Sequence, residues 1–305
     1  MGEVTLRQLE YFLAALDDGS ITAAARTCNV TQATVSTALN ELERSLGVTL
    51  LVRSRTAGVH PTAAGSALVS RARSVLDLAR EIPDLAAGEQ SALTGTVRVG
   101  CVFTLGPYLL PRLIGDFAHA HPQLHVDFVE GATGDLRREL DVGRLDLAIT
   151  YAAQLPKGEW SQEIVRFRQT IMLARSHPLA QAEQLSFHDV ADLPLVIYSQ
   201  PPSRDRVEGF IRAAGVEPDV RWQSSSPETV RGLVRRGLGY SVGNHRPGAE
   251  DPMSDDGIAY IPIADPHPLN AVVALYPKGQ TLPRRTRAVL DYCLEEASGW
   301  DWLAR

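Results

Sequence analysis

Residues 20–47 read SITAAARTCNVTQATVSTALNELERSLG, and this stretch decides the fold of the first quarter of the chain. Ser20 caps a short Ala-rich helix, Ile21 to Cys28, small enough to pack closely on a neighbour. Asn29-Val30 is a tight link, and Thr31 caps the next helix. Val35, Leu39, Leu42 and Leu46 form one apolar face of that helix, and Gly47 ends it. The opposite face carries Gln32, Thr34, Ser36, Thr37 and Asn40. Upstream, Thr5 and Gln8 make a capping box for a helix with Leu6, Leu9, Phe12, Leu13 and Leu16 at helical spacing. Downstream, Val48 to Pro61 reads as two short strands around 54–58. Helix, helix, tight turn, helix and β-wing make a winged helix-turn-helix over 1–61.

Small and amide side chains near the start of a recognition helix reach base edges without blocking the major groove. Thr31, Gln32, Thr34, Ser36, Thr37 and Asn40 are therefore candidate DNA contacts, and the wing residues Arg53 and Arg55 suit phosphates or the minor groove. Overall charge gives no such signal. The 305 residues carry net −6, and residues 1–64 hold five Arg against six acids. Locally, Arg26, Arg44, Arg53 and Arg55 face only Glu41 and Glu43.

Residues 62–94 read as a long helix and hinge. Leu68, Val75 and Ile82 repeat every seven residues, as do Leu78 and Leu85, a stripe that pairs helices. Pro83 ends or kinks the helix, and 88–95 is the hinge. From 95 to 305, strand-like runs (97–102, 126–129, 145–151, 164–174, 193–198, 220–223, 240–242, 258–263, 271–276) alternate with helical stretches (106–119, 134–143, 203–214, 227–236, 283–297). The pattern predicts an α/β domain with mainly parallel sheets.

The chain resembles the LysR-type transcriptional regulators over its full length. In the first 65 residues, Gln32, Ser36, Leu39, Leu42, Glu43, Leu46, Gly47, Arg53, Thr62 and Gly65 fall where that family's pattern expects them. Ala33 and Thr37 depart from it at the DNA-facing turn, and Leu51 departs in the core. LLP at 109–111, GRLDLAI at 143–149, HPLA at 177–180 and GLGYSV at 237–242 resemble the family's effector domain. The resemblance implies two α/β lobes like a type 2 periplasmic binding protein, lobe I about 95–166 and 268–305, lobe II about 167–267. The crossings fall near 165–170 and 264–270. It implies double-stranded, pseudo-palindromic operator DNA, a small-molecule effector and further copies of the chain as partners. The copies pair through the linker helix and go on to a tetramer, with RNA polymerase a candidate contact.

Ligands of open α/β sheets sit at strand C-termini, near helix N-termini. Two such places are Cys101-Val102-Phe103-Thr104 and Ser224-Ser225-Ser226-Pro227. The resemblance adds Tyr198, Ser199, Pro201, Ser203 and Arg204, with Arg204 or Arg206 a partner for a carboxylate. These residues form the expected effector site, and their chemistry suits a small organic acid.

Two other classes have a foothold in the sequence. A ligand-binding module without a DNA role rests on 95–305 alone. A hydrolase rests on Gly239-Tyr240-Ser241-Val242-Gly243, but that motif needs a strand before its turn, and here a helix precedes. His119, His121 and His125 are not spaced for one helical face, so no metal or other cofactor is expected. Cys28, Cys101 and Cys293 form no CxxC pair. Cys101 raises a redox alternative, with no second Cys near it in sequence. No secretory signal or membrane-length apolar run is present, and a cytoplasmic location is expected.

Overall fold

The computed structural model describes residues 3–54, 58–86, 92–244, 257–279 and 281–300. The chain begins with α1 (Leu6–Asp17), α2 (Ile21–Thr27) and α3 (Gln32–Leu46), then a two-stranded antiparallel wing, β1 (Leu51–Ser54) and β2 (Gly58–Pro61). Each helix starts on the hydroxyl that its sequence supplies. Thr5 Oγ1 accepts from Gln8 N, Ser20 from Ala23 N and Thr31 from Thr34 N. Gly47 closes α3 in the left-handed conformation at φ 67°. Phe12, Ala24, Val35, Leu39 and Leu42 meet in one core. Burying a side chain such as Phe12 contributes about 2–3 kcal/mol relative to leaving it in water. The wing docks onto the turn between α1 and α2, where Val59 N donates to Gly19 O at 2.9 Å. A Cβ at Gly58 (φ +80°) would lie 2.7 Å from that same oxygen, so the approach requires glycine.

The linker is one helix, α4 (Ala63–Ala86), which continues past Pro83 and stops in the next turn. Val69, Ala72 and Leu76 are buried against the winged-helix core. Of the two sevenfold stripes, Val75 and Ile82 are exposed (44% and 62%), Leu68 and Leu78 are half-buried, and the Leu85 side chain lies outside the described residues. Two charges on α4 point to different domains. Arg73 pairs with Asp17 of α1, while Asp77 pairs at 2.5 Å with Arg285, both ends nearly buried.

The remainder folds as two lobes. The first contains β3 (Gly95–Val102), α5 (Gly106–Ala120), β4 (Leu124–Gly131), α6 (Thr133–Asp141), β5 (Leu147–Tyr151) and β6 (Gln162–Phe167). The second contains β7 (Thr170–Ala174), β8 (Leu195–Tyr198), α7 (Ser203–Ala213), β9 (Val220–Ser224), α8 (Pro227–Arg235), β10 (Ser241–Gly243) and β11 (Ile258–Pro262). The chain then returns to the first lobe with β12 (Asn270–Leu275) and α9 (Arg284–Glu296). The first lobe's sheet has the order β4-β3-β5-β12-β6. Gly143 (φ +68°) brings this lobe against α4, since a Cβ there would meet Val69 Cγ1 at 3.0 Å and Ser70 Cα at 3.1 Å.

Two expectations are corrected. The sheets are mixed, not mainly parallel. β3 pairs parallel with β4 and β5, and β8 with β9, but β12 pairs antiparallel with β5 and β6, and β7 with β10 and β11. Parallel ladders follow helical crossovers, and antiparallel ones form where strands return through loops or from the other lobe. The single run read at 164–174 is two strands in two different sheets. The chain passes between the lobes at 168–169, and apolar patterning cannot distinguish one buried strand from two in succession.

Candidate DNA-reading face and ligand cleft

Along α3, Thr31, Gln32, Thr34, Thr37 and Asn40 are exposed and Ser36 is half-buried. The first turn is self-contained, with the Thr31 and Thr34 hydroxyls 2.9 Å apart. The exposed wing residue Arg53 lies across the same face. Its Nη2 donates to Asn40 Oδ1 at 2.9 Å and its Nη1 to Ser36 Oγ at 3.5 Å. Glu43 anchors this arrangement. Its Oε1 accepts from Leu50 N (2.7 Å) and Leu51 N (3.1 Å), and its Oε2 is 3.8 Å from Arg53 Nη2. Sequence reasoning placed Glu43 among pattern residues but missed this role, which needs the wing folded back on the helix. Arg55 lies outside the described residues.

Between the lobes is a cavity of about 150 Å³. Its apolar wall includes Phe103, Pro107, Met172, Ile197, Val207, Val230 and Val242, and its polar groups include Thr104, Gln154, Gln169, Arg206, Arg231, Ser241 and Asn244. Hydrogen bonds that span the lobes at its edge include Arg231 Nη1 to Tyr108 Oη (2.8 Å), Gln154 Nε2 to Ser203 Oγ (3.2 Å) and Arg206 Nη1 to Ala153 O (3.1 Å). Arg231 also faces Glu228 Oε2 at 3.7 Å and the Tyr260 ring. Arg206 sits over the Phe210 ring, and burial pulls its guanidinium below the usual arginine range. A polar chain runs along one wall. Gln169 Nε2 donates to Asn244 Oδ1 at 3.0 Å, Asn244 bonds Tyr151, and Thr104 Oγ1 donates to Tyr151 Oη at 3.3 Å.

Of the expected effector residues, Phe103, Thr104, Tyr198 and Ser203 line this cavity. Seven do not, each for a local reason. Val102 is 3% exposed and packs into the first lobe's core. Arg204 is turned away on α7, bonding Glu208 and Gln223, and Arg206 faces the cavity instead. Ser226 is spent capping α8, Ser224 Oγ accepts from Ser226 N, and Ser225 is exposed. Ser199 N bonds Ser224 O, tying two strand ends, and Pro201 is exposed. Tyr108, Gln169, Arg231 and Asn244 were missed, since no motif marks residues brought together by lobe docking.

Ser241 lines the cavity, but it follows α8 and opens β10, the reverse of a nucleophile elbow, and His245 lies outside the described residues. Cys101 is fully buried in the first lobe's core rather than at the cleft, and Cys293 of α9 shares that core. Burial raises both thiols, Cys293 to about 12. Among the described residues no cluster of His, Cys, Asp or Glu could hold a metal, and no helix is long and apolar enough to cross a membrane.

A winged helix joined by a long helix to a two-lobed domain with an interlobe cavity defines a DNA-binding regulator with an effector domain. Comparison with known proteins agrees. The family described as "Bacterial regulatory helix-turn-helix protein, lysR family" matches residues 6–66, and "LysR substrate binding domain" matches 90–298. The chain belongs to the LysR family of transcriptional regulators. It is 32% identical to the hydrogen peroxide-inducible genes activator of Pectobacterium carotovorum, over 97% of this chain and 98% of that one. Among solved structures it is similar to HinK, a LysR family regulator from Pseudomonas aeruginosa (30% identity, TM-score 0.61, covering 96% and 98%). It is also similar to full-length OxyR of that organism (26%, TM-score 0.73, covering 96% and 98%).

Proposed function

We infer that this regulator reads a pseudo-palindromic operator in the cytoplasm as a dimer, α3 in the major groove and the wing on the backbone, and that a small organic anion between the lobes modulates it. The exposed Val75–Ile82 stripe on α4 pairs two chains, and two dimers make the tetramer. RNA polymerase is the partner through which such an assembly acts on transcription. The observation that carries the reading is Arg53 lying on the same exposed face as Asn40 and Ser36, one surface offering both phosphate and base contacts.

One relative is named for induction by hydrogen peroxide. In this chain that signal has no evident thiol. A peroxide-sensing cysteine is an accessible, stabilised thiolate. Cys101 and Cys293 are buried with raised thiols, and Cys28, half-exposed, is raised by burial and by Glu10 and Asp18. The cleft, rather than a thiol, is therefore the candidate receiver of this chain's own effector. No enzymatic role is assigned.

The test is a gel shift with DNA immediately upstream of the chain's own gene, at two salt concentrations, against a variant lacking residues 1–64. A shift that survives competitor DNA, weakens with salt and vanishes in the truncation is expected. An unchanged footprint from the truncated chain would overturn the reading.

A further inference from the structure

Pro-Lys-Gly occurs twice in the chain, at 156–158 and 277–279, and these two tripeptides hold its only lysines. The fold brings them together. Ala274 of β12 pairs with Gln162 of β6, so the loop that leaves β12 lies beside the loop that enters β6. Each tripeptide ends on a glycine in the left-handed conformation, Gly158 at φ +80° and Gly279 at φ +73°. In the first, Glu159 N donates to Pro156 O at 3.2 Å, closing a turn with Lys157 at its corner. Trp160 and Tyr276, which adjoin the two turns, meet edge to face with ring centroids 4.6 Å apart.

Both turns and both rings line one pocket of about 490 Å³. It shares no lining residue with the interlobe cavity. Its remaining wall comes from α6, with Arg137, and from α4, with Ser70. Three cations and two carboxylates face it, but they are not equivalent. Arg137 pairs with Asp141 at 2.9 Å and also with Glu159, so both carboxylates are spent on it. Lys157 and Lys278 are exposed, and among the described residues neither has an ion-pair or hydrogen-bond partner. The groups free to turn to a ligand are therefore two ammonium ions.

Ammonium groups on flexible stems bind phosphate as point charges. Aromatic rings beside such charges offer a surface on which a base packs. The volume falls within the range of about 300–1,000 Å³ typical of small-ligand sites. A duplex is a convex rod and does not enter a pocket, whereas a single nucleotide does.

We propose that this pocket is a second small-molecule site of the regulator, taking a free nucleotide, with Lys157 and Lys278 on its phosphates and its base against Trp160 and Tyr276. Ser70 sets the ligand against the linker helix, beside the place where Gly143 packs on it. The proposal does not depend on what occupies the interlobe cavity.

The test is calorimetric titration of the full-length protein with ADP, AMP, adenosine and pyrophosphate, free of divalent metal. ADP should bind with a Kd below about 1 mM, more tightly than AMP. Adenosine and pyrophosphate, each lacking half of the ligand, should bind at least about tenfold more weakly than ADP. Lys157→Gln combined with Lys278→Gln should weaken ADP about tenfold or more, and the paired arginine replacements should retain it. Trp160→Leu should weaken ADP and leave pyrophosphate within about twofold. A Trp160 that only supports the fold would weaken both alike, and that result overturns the proposal. So do a Kd for ADP above about 1 mM and equal binding of ADP and pyrophosphate to the wild type. If ADP binding is lost in Arg206→Gln and kept in the double glutamine variant, the nucleotide belongs to the interlobe cavity and the proposal falls. If that double variant loses operator affinity while ADP does not bind the wild type, the lysines are DNA contacts and the proposal falls again.

Discussion

Arg53 of the wing and Asn40 of the recognition helix are joined by a 2.9 Å hydrogen bond, so the two elements expected to touch DNA are already one surface. The pairing predicts how their substitutions combine. Arg53→Ala should weaken binding to all sequences and lower the salt slope by about one. Gln32→Ala should relax preference at one base position and cost about 1–3 kcal/mol. Arg53→Ala and Asn40→Ala together should depart from additivity by about 1 kcal/mol, as contacting residues do, while Arg53→Ala and Gln32→Ala add. Fluorescence anisotropy on an operator and its single-base variants measures all of these.

Glu43 fixes where the wing begins. Removing its carboxylate leaves the Leu50 and Leu51 amides without their acceptor, a loss of about 2–3 kcal/mol for Glu43→Ala. Glu43→Gln keeps an oxygen there and should lose about half as much. Amide hydrogen exchange in the full chain reads this directly. Protection at Leu50 and Leu51 should collapse in the alanine variant and fall only partly in the glutamine variant.

Asp146 carries a pH signature. Burial pushes its carboxyl above the usual 3.8, opposed by the hydrogen bond from Arg98 N and by the Arg98 and Arg285 charges, and reinforced by Asp77. With the folded pKa raised, the folded chain holds a proton that the unfolded chain has released. Stability attributable to this group therefore falls as pH rises from 3.8 through the folded value and stays lower above it. Asp146→Asn keeps an oxygen for Arg98 N and removes the charge. The wild type should lose ground to this variant as pH rises through that window in denaturant titrations, and a constant difference would contradict the assignment.

The thiols differ in accessibility. Iodoacetamide on the native protein should label Cys28 slowly and leave Cys101 and Cys293 unmodified until denaturation, as mass spectrometry would record. Peroxide at concentrations that leave Cys101 and Cys293 reduced should not change operator binding in Cys28→Ser.

Much of the fold was legible because local chemistry announces it. Thr5, Ser20 and Thr31 mark helix starts, Gly47 marks an end, and the apolar faces of α1 and α3 meet through Leu9, Phe12, Leu13, Val35, Leu39 and Leu42, while Leu6 and Leu46, read onto the same faces, are exposed at the helix ends. The cavity was less legible. Arg204 and Arg206 are indistinguishable by type, but stand about 200° apart around a helix, and only the docking of α7 decides which faces inward. The serines at 224–226 have the right chemistry in the right region, but Ser224 and Ser226 accept from local backbone N–H groups and none of the three lines the cavity. Gln169 and Asn244 lie far apart in sequence and meet only when β7 and β10 pair. The same applies to Cys101 and Cys293, which sequence separates and the first lobe's core unites.

Arg73 and Asp77 stand four residues apart on α4, one engaged by the winged helix and the other by the lobe that carries half the cavity wall. A helix transmits torque along its axis with little loss over a single turn. Any roll of α4 that eases one ion pair must therefore strain or ease its neighbour. Within one helical turn, α4 is thus tied to α1 of the winged helix by Arg73 and to α9 of the first lobe by Asp77, so this turn is where the two domains are held in register.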